Sequence, residues 1–190
     1  MSRMLQFAWG ALVPKKPVPG RTVLEPSVRR MRVLPQDLDI MMHVNNGSYL
    51  QIMDVARFQF VAEGGALRLS RQNSWMPVVA ASTLRYRRPL KLWNRFEVTS
   101  RNLAWDDRYF YMEQKITRND KLYTRGIVAM RILHIPSREG VAPDDIVAAL
   151  AEAQGYPDGA PASPELPEEA LALARTLKQT SHESRPPGSA

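Results

Sequence analysis

Cysteine is absent from all 190 residues. That excludes disulfides, thiolate metal sites and a thiol nucleophile together, and it fits a reducing compartment. No Gly-x-Ser-x-Gly elbow occurs, so a serine-hydrolase mechanism of that type is excluded as well. Any hydrolytic base or nucleophile is then expected to be a carboxylate or a histidine. Neither an HExxH nor an EF-hand spacing is present; Asp37, Asp39 and His43 are the tightest group of metal-competent side chains, and no metal is expected. Long apolar runs are also missing. Met4 to Val13 is interrupted by Gln6 and is too short to span a bilayer, and no small-residue cleavage site precedes Lys15 and Lys16. The expectation is a cytoplasmic protein without stable membrane insertion. Leu5, Phe7 and Trp9 are read as covering a core, with loose membrane-surface contact as the alternative.

What is present is a soluble, basic composition. Hydrophobic residues make up 44% and charged ones 24%, enough for one core with extensions. The overall net charge is +7, but the segment after Gly155 holds five acidic and three basic residues, which leaves the rest of the chain at +9. A body this basic attracts polyanions, among them coenzyme A and nucleic acid. Arg and aromatic residues mix near RYRRPL, yet no recognition motif for nucleic acid accompanies them, and no nucleic-acid partner is expected.

The chain divides by its periodicities. Ser27 to Leu34 reads as a strand ended by Pro35. Ser48 to Glu63 disperses apolar residues around a helix that Asn45 or Asn46 can cap and that Gly64 and Gly65 stop. Beyond it the period becomes two: Trp75 to Tyr86, a strand around Phe96 to Arg101, Tyr109 to Thr117 after a Trp105 to Arg108 turn, and Lys121 to Ile135 after Asn119 and Asp120. One buried helix followed by a four-strand meander predicts an α+β fold in which a curved antiparallel sheet wraps the helix. An exposed edge strand in such a sheet predicts a homodimer or a dimer of dimers. Val141 to Ala153 reads as a further helix begun by Pro143, Asp144 and Asp145. The expected organisation is an extension over 1–26, the sheet-and-helix domain over 27–136, a helix within 137–155 and a largely flexible Pro/Ala/Glu-rich tail over 156–190, with a short helix possible near Pro167 to Leu177.

Chemistry concentrates in DLDIMMHVNNGSY, Asp37 to Tyr49. Carboxylates, an imidazole and two amides alternate there with Leu38, Ile40, Met41, Met42 and Val44 just before the helix. Polar groups interleaved in this way need partners or a function. Free amides at a helix start carry the positive end of its dipole and polarise a carbonyl oxygen held against them. Asp37 is read as a turn or cap residue, or as a second carboxylate that raises the pKa of Asp39. Arg57, one turn after Asp54, reads as half of a structural ion pair. Trp93, Trp105 and Tyr109 read as core or interface residues.

The run DLDIMMHVNNGSYLQIMDVAR resembles the signature of the hot-dog-fold acyl-CoA thioesterases of the 4-hydroxybenzoyl-CoA thioesterase type, an Asp-x-Asp-x-x-x-His-x-Asn-Asn run leading into one long central helix. RYRRPL, WDDR and YMEQ follow in the family's order, so the resemblance covers about Ser27 to Ile135. It implies the hot-dog fold and an acyl-CoA thioesterase that releases free acid and coenzyme A. Asp39 is then implied as general base or nucleophile, with the Asn46 amide as polarising donor. His43 is implied to orient Asp39, hold the water or donate to the thioester, or else to tie down the loop with Asn45. Asn45, Tyr49, Arg87 and Arg88 are the expected substrate-binding residues; these arginines and Arg85 would meet the phosphates of coenzyme A. Met41, Met42, Met53 and Phe58 are expected to line a fatty or aromatic acyl pocket serving lipid metabolism. No cofactor is expected, coenzyme A being part of the substrate. Many relatives carry Gly where Met42 stands, which keeps a non-catalytic acyl-CoA or lipid-metabolite binding protein of the same fold as the alternative.

Overall fold

The computed structural model describes residues 15–183. The readings of Leu5, Phe7 and Trp9 lie outside the described residues. Strand β1 (Ser27–Arg32) leads through a single 3-10 turn (Pro35–Asp37) to the long helix α1 (Asn46–Glu63) and the short helix α2 (Ala66–Gln72). Strands β2 (Trp75–Tyr86), β3 (Arg95–Trp105), β4 (Phe110–Arg118) and β5 (Lys121–His134) follow, then the two-residue β6 (Gly140–Val141), helix α3 (Pro143–Gln154) and helix α4 (Glu168–Glu183). The sheet is antiparallel in the order β1-β3-β4-β5-β2, with β6 on β5, and it wraps around α1 as a hot-dog fold.

Only part of the expected meander is consecutive. β3, β4 and β5 are joined by tight turns. Asp106 accepts the amides of Arg108 and Tyr109, both at 2.8 Å, and Asn119 and Asp120 take φ of 48° and 58°, the left-handed pair that a two-residue hairpin requires. β2, by contrast, crosses to the far edge and pairs with β5, while β1 takes the place beside β3. Pro77 explains why β2 cannot be central: it has no N–H to give to a second neighbour.

Alternation on β4 and β5 sorts side chains onto two faces. Met112, Ile116, Val128 and Met130 turn toward α1, where Ile52, Met53, Ala56 and Phe60 meet them and their neighbours. Tyr111, Ile127 and Ala129 turn the other way and are covered by Ala170, Leu173 and Ala174 of α4. Within the tail expected from 156 onward, α4 stands where the short helix near Pro167 to Leu177 was read and extends further, to Glu183. Its apolar residues recur at 170, 173, 174 and 177, one helical face. Arg125 fastens the start of that helix, reaching Glu169 through Nη1 (2.5 Å) and Nη2 (3.3 Å) and Glu113 through Nε (2.6 Å). Glu113 is buried on the sheet and also receives Arg101 (2.8 Å) and Lys115 (3.2 Å).

The expected extension also packs. Val18 and Gly20 donate to the carbonyls of Glu63 and Gln154, and Val23 joins Trp105, Phe110 and Ile146 in the core. Its main anchor is Glu63, which accepts from Ser27 Oγ (2.7 Å), Gln59 Nε2 (2.8 Å), Arg21 (2.8 Å) and Lys15 (3.1 Å). Burial alone raises the Glu63 carboxyl; the Ser27 hydroxyl and the Lys15 and Arg21 charges outweigh it and hold the group below its ordinary value. Glu113 is likewise raised by burial and more strongly lowered by Arg125, Lys115 and Arg101. A depressed folded-state pKa gives stability that is complete above the unfolded value and disappears as pH falls through the folded one. The melting temperature is thus expected to hold down to about pH 5 and to drop below about pH 4. In Glu63→Gln the neutral-pH melting temperature should be lower and the acid fall shallower. Acid limbs of equal slope in the two proteins would remove Glu63 from this account.

Candidate active site at the start of the central helix

Leu38 to Val44 closes on itself as a small hairpin, with Leu38 bridged to Val44. The Asp39 N–H donates to the His43 carbonyl (2.8 Å), and the Met42 N–H donates to the Asp39 carbonyl (3.0 Å). Asp39 Oδ1 accepts from the amides of Met41 (2.9 Å) and His43 (3.2 Å). This is a turn of type I followed by one left-handed residue, and that residue is Met42 at φ 60°. A side chain beyond Cβ is disfavoured at that backbone angle, and glycine is at home there. Met42→Gly is therefore expected to raise stability by roughly 0.5–1 kcal/mol without moving the loop, read as a higher melting temperature; a lower one would show that the Met42 side chain supports the structure.

The hairpin tip is bare. Ile40, Met41 and Met42 are 98%, 70% and 59% exposed, so Met41 and Met42 line no pocket within one chain. Met53 is fully buried in the core, and Phe58 alone of the four expected lining residues faces a large groove. Asp37 is buried, and its Oδ2 accepts the Leu34 amide at 2.7 Å across the 3-10 turn; it acts as the turn residue of the two readings given to it. Its carbonyl accepts the Asn45 N–H (2.8 Å), which ties the turn to the helix entrance. His43 bridges to Lys91 through its backbone and binds Asp39 through its amide.

Asn45 caps α1: its Oδ1 accepts the Gly47 N–H at 2.8 Å. Asn46 is the first helical residue, and its N–H meets no acceptor among the described residues. Aromatic packing borders the helix start. Tyr86 Oη donates to the Asn46 carbonyl at 3.3 Å and its ring lies 5.2 Å from that of Tyr49. Tyr49 is buried, its hydroxyl accepts the Leu90 N–H at 3.2 Å, and burial raises its pKa; it supports the site from beneath. Arg87 and Arg88 follow on the exposed β2–β3 connection, with both amides on the Tyr123 carbonyl and Arg88 Nη1 on that of Leu122. Lys91 adjoins the loop through its bridge to His43, whereas Arg85, next to Tyr86 on β2, points to the opposite face of the strand from the helix start. Trp93, half exposed, carries Arg32 over its ring at 5.3 Å, and Trp105 is buried with its Nε1 donating to Asp144 at 2.7 Å.

Below the helix mouth runs a groove of about 870 Å³ between the uncovered stripe of α1 (Gln51, Asp54, Phe58, Val61) and the edge strand β2 (Trp75, Met76, Val79). Arg57 lies in its wall, bonded to Asp54 and, through Nη1, to Gln114 Oε1 at 2.9 Å. Desolvation brings its guanidinium down to about 10. This groove escaped the sequence reading because it is assembled from α1, α2 and a strand whose place in the sheet order the meander reading left open; Pro77 was the available signal that β2 lies at an edge. Asp39, His43, Asn45 and Asn46 do not line it. Among the described residues no three His, Asp or Glu side chains converge, and no helix is long and apolar enough to cross a membrane.

A family model described as the thioesterase-like superfamily matches residues 33–173. The frog Xenopus laevis has a protein named THEM6 that is 35% identical over 139 residues, 73% of this chain and 62% of that protein. The chain thus spans less than two thirds of that relative's length. Among solved structures, a probable thioesterase, YbaW, from Escherichia coli superimposes with a TM-score of 0.62 at 19% identity, covering 67% of this chain and 97% of that one. A Staphylococcus aureus protein of hypothetical status, SAV2348, solved in complex with CoA, gives 0.60 at 18% identity, covering 80% and 94%.

Proposed function

Because the chain belongs to the thioesterase-like superfamily, we propose that it hydrolyses acyl thioesters of coenzyme A to free acid and thiol, as a homodimer. The observation that carries this reading is the unpartnered Asn46 amide at the start of a buried helix, with the Asp39 carboxylate held in the adjoining hairpin. A thioester carbonyl seated against that N–H is polarised by the helix dipole, and the charge that grows on its oxygen in the transition state is stabilised. Asp39 takes a proton from attacking water and returns it to the departing thiolate; or it attacks the carbonyl carbon itself, the C–S bond breaks, the thiolate takes a proton from water, and a second water hydrolyses the mixed anhydride to free acid and the regenerated carboxylate. Arg87 and Arg88 on the exposed β2–β3 connection, with Lys91, supply charge for the phosphates of coenzyme A.

Support for a second copy comes from three surfaces that the described residues leave uncovered: the 12-residue edge strand β2, the hairpin tip at Ile40 to Met42, and the groove beside α1. Pairing along β2 closes the groove over the acyl chain. The SAV2348 complex is with CoA, the carrier proposed here. The 4-hydroxybenzoyl-CoA subtype, the cytoplasmic location and a role in lipid metabolism stay part of the proposal.

One observation favours the alternative, an acyl-CoA binding protein without turnover. Asp39 Oδ1 already accepts two loop amides, as a carboxylate that only shapes a turn also would. Thiol release measured across short, long and aromatic acyl-CoAs separates the two. Release above the spontaneous rate supports hydrolysis; tight binding with no release from any member supports the alternative.

A further inference from the structure

Each of the five long strands carries a basic residue at the end of the sheet where α1 begins. β1 ends there at Arg32, β3 begins at Arg95, β4 ends at Arg118, β5 begins at Lys121, and Arg87 and Arg88 follow β2. The bond from Tyr86 to the Asn46 carbonyl places the helix start at this same end. Two of the cross-strand pairs are like-charged, Arg32 opposite Arg95 and Arg118 opposite Lys121. Such pairs are destabilising. Among the described residues no carboxylate forms an ion pair with Arg87, Arg88, Arg95, Arg118 or Lys121, and all of these except the half-buried Arg118 are exposed. At the opposite end the strands finish on Ser27, Trp105, Phe110, His134 and Trp75, next to the carboxylates of Asp106 and Asp144. A local rule broken twice at one end of the sheet, and at the other not at all, marks a surface shaped for an anionic partner.

On the reading that an acyl thioester is cleaved at the Asn46 amide, we infer that the acyl group also arrives on an acidic carrier protein, whose carboxylates dock across this end of the sheet. The width of the cationic row argues for a partner larger than coenzyme A. Strands about 4.8 Å apart spread the row over about 19 Å, with Arg32 and Arg95 on the β1 side and Arg87 and Arg88 on the β2 side. The phosphates of one coenzyme A, met by Arg87 and Arg88, leave the β1 side unused. An acidic protein surface covers the whole row while its thioester arm enters beside α1. The proposed homodimer decides between such a protein and an anionic membrane. Pairing along β2 about a two-fold axis is antiparallel, so the two basic ends point in opposite directions. A flat membrane meets only one of them; a diffusible protein reaches both.

The test compares one palmitoyl group carried on coenzyme A and on a small acidic acyl carrier protein, in the wild type and in the double variant Arg95→Glu with Arg118→Glu. Each substitution turns a like-charged pair into an opposite one, so the fold is kept, as circular dichroism and the melting temperature will verify. The double variant is expected to lose at least about tenfold in kcat/KM on the carrier-protein substrate, through KM, and less than about twofold on palmitoyl-CoA. Added salt should lower the wild-type value on the carrier-protein substrate and barely move that of the variant. Calorimetric titration with the same carrier protein reads docking without turnover. A wild type that releases no thiol from either substrate, yet binds the carrier protein more tightly than the variant does, defeats hydrolysis and leaves this inference standing. Equal losses on the two substrates overturn it, as does a folded variant with undiminished activity on, and affinity for, the carrier protein. A wild type that cleaves palmitoyl-CoA but neither binds nor cleaves the carrier-protein substrate overturns it too. Co-sedimentation with phosphatidylserine vesicles that the double variant loses, while carrier-protein binding stays unchanged, gives the surface to a membrane and overturns it.

Discussion

Asp39→Asn is expected to lower thioester turnover by about 10²–10⁴-fold while the protein remains folded. The reason for the second half is geometric. The bonds from the Met41 and His43 amides end on Oδ1, and an asparagine carbonyl oxygen accepts them equally well. The variant therefore keeps the hairpin and loses the negative charge and the basicity. Affinity for acyl-CoA should change little, because the Asn46 amide, the groove and the arginines are untouched. A fall in turnover together with a melting temperature several degrees lower would mean that the substitution broke the loop, and Asp39 would then be structural. Undiminished turnover in a folded variant would remove it from the mechanism.

The largest expected effect on stability comes from Gln114→Leu, a change of nearly constant volume at a fully buried position facing α1. Gln114 accepts from Arg57 Nη1 (2.9 Å) and donates to the Met53 carbonyl (2.9 Å) and Ser100 Oγ (2.9 Å). Leucine leaves the buried guanidinium with Asp54, a partly exposed partner, and strands a carbonyl on the central helix. Removing one side of a buried charged network costs roughly 3–5 kcal/mol, a large share of the ~5–15 kcal/mol that holds a domain folded. Urea midpoints measure it. Combining Gln114→Leu with Arg57→Met should recover part of the loss, since the stranded cation is gone. A loss under about 1 kcal/mol would show that water, and not Gln114, satisfies Arg57.

These two positions differ in how far the sequence discloses them. Asp39 stands in a local pattern, a carboxylate seven residues before the first residue of a helix, and local patterns survive folding. The same holds for the Asn45 cap, the hairpin at Asn119 and Asp120, and the helix from Asn46 to Glu63, each specified within a few residues. Gln114 looks like any polar residue on a strand. Its role depends on Arg57 and Met53, about sixty positions away, meeting it across the core. Strand order is hidden for the same reason: β2 pairs with β5, and only the missing N–H of Pro77 hints that it lies on an edge. Glu63 gathers Lys15 and Arg21 from a distant segment, and Glu113 gathers Arg101 and Arg125 from the neighbouring strands besides Lys115, which no spacing announces. In the tail the short helix read near Pro167 to Leu177 is present and runs on to Glu183, its apolar face at Ala170, Leu173, Ala174 and Leu177. The groove was invisible because three separate elements build it.

A structure of the protein with a non-cleavable acyl-CoA analogue tests the account most directly. The carbonyl oxygen of the analogue is expected within about 3 Å of the Asn46 amide nitrogen, its carbonyl carbon beside the Asp39 carboxylate and its chain in the groove along α1. A carbonyl held elsewhere, with the Asn46 N–H facing solvent, would contradict it.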